Sequence, residues 1–481
     1  MRRRFKKVIA GVLSLATVLS LTACGSSNEE QAPEVTTNEE YDPIIEHVQT
    51  LVGEVDNTIN VEKKITWLSW WPIDETQAAA ELFKAVYGIP EEGNESYGKD
   101  ANNIFEYKFV AYESRYDKLA QMVSTGNSPD MFQFELENYP YTVYKGMFQS
   151  IDGIIDTSTP EWDATRDVME QFKWGGKNYC AITQIELNQV LWYRRSVIQK
   201  AGLQDPYDLY MAGNWNWDTF TDMCNAFQLS GEGKYAVDGY KIPDYFVMST
   251  GTPIIGLENG QLKCNLYEED VERSINYIST LATENYRYPR HLLNNWSTSI
   301  PAFVAGDTLF YGDGTWFWKD TLKSYATRYK WEDNDIFFVP YPKDPEADVY
   351  YHGLRHSSYM LCAGSDNIEG YKAWIDCVIT CVNDEETKAL SREQDKVNYD
   401  WTDEQLDFSE QVLKDLTPVF EFKQGIGSDV VPTNTIDNCV DSLIQYPYIQ
   451  NEGQDISYTS LRATNEGQIT ARVNEMNASV S

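Results

Sequence analysis

Two histidines and two cysteines are the residues in this 481-residue chain whose spacing could bind a metal. His352 and His356, in "YHGLRHSSY", have the H-x-x-x-H spacing that suits zinc when it lies on a helix. Gly353 and the strand-like "SSYMLCAG" that follows argue against a helix here. Cys377 and Cys381 lie one helical turn apart, but no second pair or histidine is close in sequence, and both fall in an apolar helical stripe. The sequence therefore predicts buried cysteines, no metal and no cofactor.

Motifs for the common catalytic chemistries are missing from the sequence. It contains no G-x-S-x-G, no H-E-x-x-H, no P-loop and no G-x-G-x-x-G, so serine hydrolases, zincins and nucleotide enzymes have no support. A pair of carboxylates for glycoside hydrolysis leaves no local signature, and the chain has 74 acidic residues. A surface glycoside hydrolase therefore stays open as an alternative.

The composition excludes two further classes of protein. A hydrophobic content of 42% and an aromatic content of 14% suit a large core rather than a disordered chain. The formal net charge of −35 excludes non-specific binding to nucleic acid, because phosphate binding needs clustered Lys and Arg.

The N-terminus has the pattern of an export signal. Five positive charges in "MRRRFKK" precede an apolar run from Val8 to Leu21, which is too short for a spanning helix. "LTAC", ending at Cys24, resembles the bacterial lipobox, whose cysteine is acylated and becomes the mature N-terminus. We predict a signal peptide over 1–23, a lipid on Cys24 (a palmitate-type acyl anchor) and a flexible, polar stalk over 24–60. The alternative is ordinary secretion with a chance cysteine.

An alternation of strands and helices follows the stalk and positions several candidate residues. "KKITWLSWWPID", "FEYKFVAYES" and "PDMFQFE" read as strands, separated by two amphipathic helices. Short links between them predict right-handed crossovers and a parallel sheet, whose ligands lie beyond the carboxyl ends of the strands. Trp70, Trp71, Phe134 and Glu135 should meet at that rim, with one of the two tryptophans directed into the core.

Several segments resemble family 1 extracellular solute-binding proteins, the maltose-binding-protein-like receptors of sugar importers. They are, in family order, "RYDKLAQMVSTGNSPDMFQFE", "FKWGGKNYCAITQIELNQVLWYRRSVIQKAGL", "NWNWDTF", "PAFVAGDTLFYGDGTWFW" and "FVPYPKDP". Arg194 and Arg195 stand where Asn-Lys is usual. The matches run from about Ile65 to the C-terminal helix, nearly the whole mature chain.

The resemblance implies an α/β, two-lobed periplasmic-binding-protein-like fold of type II, with a ligand cleft at the hinge between the lobes. It implies crossings near Ile182–Glu186, Gly353–Tyr359 and Val431. The N-terminal lobe is then expected over 61–183 plus 359–430, and the C-terminal lobe over 184–358 plus 431–481.

The resemblance also selects candidate binding residues. Sugars have apolar faces and hydroxyl edges, so their sites combine stacked aromatic rings with carboxylates, amides and Arg. Trp316 matches the family's Gly-x-Trp position, and Glu186 aligns with a ligand-binding carboxylate, although a solvated rim charge is an equal alternative. Asp313, between two glycines, reads as a turn residue or a hydroxyl acceptor, with the turn favoured. His352 and Arg355 are predicted on a hinge loop that lines the cleft.

One tryptophan is expected to pack rather than bind. Trp217 opens a helix that we expect Asp218 to cap, so Trp217 is predicted in the core.

The function implied by the resemblance is capture of a carbohydrate, an oligosaccharide in particular, without turnover. The protein would be lipid-anchored at the extracellular face of the cell membrane and would deliver its solute to the permease subunits of an ABC importer. Besides the glycoside hydrolase, a second alternative to a transport receptor is a sensor or lectin of the same fold that does not serve transport.

Overall fold

The computed structural model describes residues 42–70, 78–87, 105–133, 136–290, 298–427, 440–449 and 457–480. In these ranges the strands are β1 (Ile65–Ser69), β2 (Phe105–Phe109), β3 (Met131–Gln133), β4 (Ala181–Leu187), β5 (Gln189–Arg194), β6 (Tyr235–Gly239), β7 (Ile255–Glu258), β8 (Gln261–Cys264), β9 (Thr308–Gly314), β10 (Ile336–Val339), β11 (Tyr351–Leu361) and β12 (Thr417–Val419).

The helices are α1 (Asp42–Val48), α2 (Ala78–Tyr87), α3 (Arg115–Ser124), α4 (Tyr141–Tyr144), α5 (Arg166–Gln171), α6 (Arg195–Lys200), α7 (Pro206–Met211), α8 (Trp217–Leu229), α9 (Ile242–Met248), α10 (Glu269–Thr283), α11 (Ile300–Ala305), α12 (Lys323–Tyr329), α13 (Ile368–Asn383), α14 (Glu385–Tyr399), α15 (Asp403–Asp415), α16 (Asp441–Ile449) and α17 (Tyr458–Ala478).

The first sheet is built around the three predicted strands. β1 lies between β2 and β3 and is parallel to both, as the strand–helix alternation predicted. β11 then pairs antiparallel with β3, β4 pairs antiparallel with β11, and β12 pairs parallel with the start of β11. α2 buries Leu82 and Phe83 against this sheet, and Phe83 contacts Trp374 of α13. This sheet and its helices form what we call the first lobe.

The second sheet has the order β10-β5-β9-β6. β6 is parallel to β9, whereas β5 runs antiparallel to both β9 and β10. All seven residues of β9 are buried, because helices cover the sheet and aromatic side chains such as Trp192 and Phe310 fill its core. We call this sheet and its helices the second lobe.

An antiparallel ribbon connects the two sheets. In this interlobe ribbon, made of β4 and β11, Ala181 pairs with Tyr359 at one end and Leu187 pairs with Leu354 at the other. After Leu187 only Asn188 separates β4 from β5 of the second sheet. The chain therefore passes from one sheet to the other at Asn188, at the rim formed by the ends of the second-sheet strands.

Part of the segment predicted to be a flexible stalk is folded against the first lobe. Residues 42–60 belong to the predicted stalk, but α1 and the turn after it bury Ile44, Val48 and Leu51. His47 contacts Asp384, the N-cap residue of α14, at 2.6 Å. The polar composition of this segment made it look like a flexible stalk. Its few apolar residues nevertheless allow α1 to pack against α14, which lies more than 300 residues later in the chain.

α15 lies on the second sheet, although the resemblance assigned its residues to the first lobe. Phe408 contacts Phe337 and Phe338 of β10 at centroid distances of 5.5 Å, and it also contacts Tyr207 of α7. The apolar face of α15 thus completes the aromatic core of the second lobe. The remaining lobe boundaries stay a prediction.

Cys377 and Cys381 are buried in α13, as predicted. Within the described ranges, no cluster of His, Cys, Asp and Glu could hold a metal ion. The same ranges contain no helix with the length and apolarity required to cross a membrane.

Candidate functional site

A buried carboxyl group lies at the second-lobe rim, which is the rim formed by the ends of the second-sheet strands near Asn188. Asp313 lies at the carboxyl end of β9, is 9% exposed, and accepts a hydrogen bond at Oδ1 from the amide of Gly314 at 2.7 Å. The pKa of Asp313 is raised to about 6, mainly by burial; the Gly314 amide opposes this shift, and the charge of Asp320 contributes to it. The carboxyl group is therefore poorly solvated, which favours a hydroxyl or other hydrogen-bond donor beside it.

Trp316 presents an aromatic surface next to this carboxyl group. It is 37% exposed. Its ring rests on the backbone of Gly314, because a Cβ added at Gly314 would lie 2.3 Å from the indole. An exposed ring backed by main chain is a suitable platform for the apolar face of a sugar.

Three buried polar side chains next to the same rim were missed by sequence reasoning. Asn188 Oδ1, Gln189 Oε1 and Tyr341 Oη find no hydrogen-bond partner among the described residues. Gln189 pairs with Gly314, and the Asn188 carbonyl accepts from the amide of Thr315 at 2.8 Å. Unpartnered buried polar groups cost free energy, so a hydroxylated ligand is a chemically suitable partner. The local sequence does not predict that these three side chains come together, because their positions depend on which strands become neighbours in the fold.

The interlobe ribbon brings two predicted residues together. Arg355 lies opposite Glu186 in the register, and Arg355 Nε is 3.9 Å from Glu186 Oε2. Ser357 donates a hydrogen bond to the other carboxylate oxygen of Glu186. The two charged side chains are 40% and 33% exposed, so both remain accessible to a solute between the lobes.

The structure corrects the prediction for His352. This side chain is fully buried in β11. Its Nε2 accepts a hydrogen bond from the Tyr341 amide at 3.2 Å, and its Nδ1 is 2.7 Å from its neighbour's carbonyl, that of Gly353. Burial lowers the pKa of His352 to about 4, so the ring is neutral at pH 7. It therefore supports the ribbon rather than lining the cleft in this conformation.

His356 is buried as well, edge-on to Phe172 at a centroid distance of 4.6 Å. Both histidines lie on β11, which agrees with the argument against a zinc-binding helix. The hinge loop predicted for His352 and Arg355 is wrong, because this segment is a strand that pairs with β4.

The first-lobe rim contributes a second aromatic surface. Trp70 follows β1 and meets Tyr112 edge to face at 5.2 Å, and the Arg115 guanidinium lies 3.6 Å from the Tyr112 ring centroid. Tyr112 is 42% exposed. Sequence reasoning missed Tyr112 because the second predicted strand extended over it, whereas β2 ends at Phe109. Trp71, Phe134, Glu135 and the predicted lipidation residue Cys24 lie outside the described residues.

Trp217 packs in the core, as predicted, stacked on Tyr277 at 4.5 Å. The cap of its helix differs from the prediction: Asn216, not Asp218, is the N-cap residue and accepts from the Thr219 amide.

Comparison with known proteins identifies the family. The model of the bacterial extracellular solute-binding protein family matches residues 74–380. The chain belongs to this family. A search among curated proteins finds no match for this solute-binding protein.

Solved structures share the two-lobed fold of this solute-binding protein. The ABC substrate-binding protein Lmo0181 from Listeria monocytogenes, in complex with cycloalternan, has a TM-score of 0.60 at 14% identity, over 86% of this chain and 99% of its own. The sugar-binding protein MalE from Xanthomonas citri has a TM-score of 0.59 at 13% identity, over 85% and 98%. The cyclic alpha-maltosyl-1,6-maltose binding protein from Arthrobacter globiformis also has a TM-score of 0.59 at 13% identity, over 86% and 100%.

Proposed function

We propose that this solute-binding protein captures a carbohydrate, an oligosaccharide in particular, between its lobes and delivers it to the permease of an ABC importer. The observation that carries the proposal is the presence of aromatic groups on both rims, with carboxyl groups on the second-lobe rim and on the ribbon. Trp70 and Tyr112 lie on one rim, Trp316 and Asp313 lie on the other, and Glu186 lies on the ribbon between them.

These groups match the two kinds of surface on a sugar. The rings suit the apolar faces of pyranoses, while the carboxylates and unpartnered amide oxygens suit hydroxyl groups. Aromatic surfaces on two separate lobes favour a ligand with several rings over a monosaccharide. Cycloalternan, the ligand in the Listeria monocytogenes structure, belongs to this class.

Binding without turnover follows from the same interpretation. A solute that contacts both rims stabilises the closed arrangement, and only such a solute shifts the equilibrium between open and closed lobes. We propose that Glu186 and Asp313 are hydrogen-bonding groups, not a catalytic pair. Acylation at Cys24 would keep the protein at the extracellular face of the membrane beside its permease.

A thermal-shift screen with a matched pair of tryptophan variants tests the proposal. A glycan present at about 100 times its dissociation constant should add roughly 2.7 kcal/mol to the free energy of unfolding. Trp316→Ala should abolish most of that shift and leave the melting temperature without ligand nearly unchanged, because the ring is partly exposed.

Trp217→Ala is the control, since this ring is 4% exposed. It should lower the free energy of unfolding by about 3–5 kcal/mol, the cost of deleting a large buried aromatic. A peptide or another small solute that stabilises the protein when every glycan fails would contradict the sugar assignment. Turnover that disappears in Glu186→Gln would support the hydrolase instead.

A further inference from the structure

The second lobe contains a cavity that the proposed hinge site does not use. Its volume is about 410 Å³, and we call it the α12 cavity because it lies between α12 and the turn that joins α14 to α15. Three indoles contribute to its wall: Trp318, Trp331 and Trp401.

The α12 cavity extends from Trp318, four residues after Gly314, to Ile336 at the end of the second sheet that is remote from the second-lobe rim. β5 starts at Gln189 beside Gly314, at the rim, and ends at Arg194 beside Ile336, which lines the cavity. The two ends of β5 are five residue steps apart along the strand, a distance of about 16 Å. A ligand held against Trp331 and Ile336 would therefore be separate from one bound at Asp313.

Contacts with neighbouring side chains and main chain hold the indoles in place. The guanidinium of Arg194 covers the Trp331 ring at 3.9 Å. Trp318 Nε1 donates to the carbonyl of Tyr399 at 2.8 Å, and the Trp401 ring lies 5.9 Å from that of Trp318. A fixed aromatic wall loses little side-chain entropy when it binds a ligand.

Polar groups of both charges complete the wall. Lys323 is 3.0 Å from Asp400, so these two charges compensate each other within the cavity. Asp333, Asn334 and Thr402 also line it, and the Thr402 hydroxyl donates to Asn334 Oδ1.

This mixture of groups discriminates between classes of ligand. A free anion would meet three carboxylates (Glu332, Asp333 and Asp400), and a free cation would meet two lysines (Lys323 and Lys330). A purely apolar molecule would displace water from these polar groups without replacing its hydrogen bonds. A neutral polyhydroxylated ring satisfies the indoles through its apolar face and the polar groups through its hydroxyls. We infer that the α12 cavity is a second site for a neutral saccharide, independent of the hinge site.

Saturation-transfer NMR on the full chain, with maltotetraose and cellotetraose as probes, tests this inference. Trp316→Ala is used as the background in order to remove binding at the hinge. Thr327 lines the cavity and is exposed, so Thr327→Trp should fill it without disturbing the core. Ser324→Trp is the matched control, because Ser324 is exposed on the same helix and does not line the cavity.

In the Trp316→Ala background we expect saturation transfer to at least one glycan. The signal should persist with Ser324→Trp and fall to the protein-free level with Thr327→Trp. Equal signals in the two double variants, or no signal in the background itself, would overturn the inference. Tetramethylammonium serves as a cationic probe in the same experiment. If Thr327→Trp removes its signal and leaves every glycan signal unchanged, the saccharide assignment is wrong. The proposed function is tested separately, by the effect of Trp316→Ala on the thermal shift.

Discussion

At the scale of one residue, the buried carboxyl group of Asp313 lowers the stability of the folded protein at neutral pH. Its carboxyl group is nearly buried at the end of β9 and has one amide hydrogen bond but no compensating cation nearby among the groups that shift its pKa. Such a group is tolerated where a ligand supplies the missing hydrogen bonds. The sequence interpretation favoured a turn residue, because two flanking glycines are typical of turns, whereas the glycines here belong to a buried strand.

Asp313→Asn should therefore stabilise the free protein and weaken ligand binding. The folded-state pKa of about 6 lies above the ordinary 3.8, so the wild type loses stability as the pH rises from about 4 to about 6. The asparagine cannot ionise, and its carbonyl can still accept from the Gly314 amide. Its advantage in the free energy of unfolding should be near zero at pH 4 and about 2–3 kcal/mol at pH 7.5.

Chemical denaturation at the two pH values measures this difference, and calorimetric titration with the stabilising glycan measures the affinity. A pH-independent effect of the substitution would contradict the assignment of a buried, proton-binding carboxyl group.

At the scale of elements, the sequence predicted what local periodicity determines. The first three strands of the first sheet and the helices between them lie where alternation and apolar faces indicated. These elements are determined by the pattern of apolar residues within each segment and by the short links between consecutive segments. The placement of His352, α1 and α15 could not be predicted in this way. Each depends on a contact with a distant segment, such as that of Phe408 with β10.

The N-terminus of α8 offers a test at the same scale. The Asn216 side chain accepts from the Thr219 amide at 3.0 Å, whereas Asp218 lies inside the first turn. Asn216→Ala should lower the free energy of unfolding by about 1 kcal/mol, the usual cost of losing an N-cap. Asp218→Ala should cost less, because it removes only a favourable charge near the helix dipole. Urea denaturation of both variants decides between them, and a larger effect at Asp218 would restore the cap predicted from sequence.

At the scale of the whole molecule, the proposed lipid anchor determines where the protein works. Cys24→Ala should release the protein into the medium or leave an uncleaved precursor, because no acyl chain can then be attached at that position. Fractionation of cells followed by detection of the protein measures both outcomes. Unchanged retention at the membrane with normal processing would contradict the lipoprotein prediction.

The two-lobed architecture provides the mechanical basis for the proposed capture of a solute by lobe closure. The two sheets are connected by the interlobe ribbon, and the candidate binding groups lie on both rims and on the ribbon itself. A solute that contacts both lobes should therefore change the shape of the molecule, whereas one that contacts a single lobe should not.

Small-angle X-ray scattering of the full chain, with and without the stabilising glycan, measures this change most directly. We predict that the glycan lowers the radius of gyration of the wild type and that Trp316→Ala abolishes the decrease at the same glycan concentration. Saturating glycan that binds the wild type while leaving its radius of gyration unchanged would contradict capture by lobe closure.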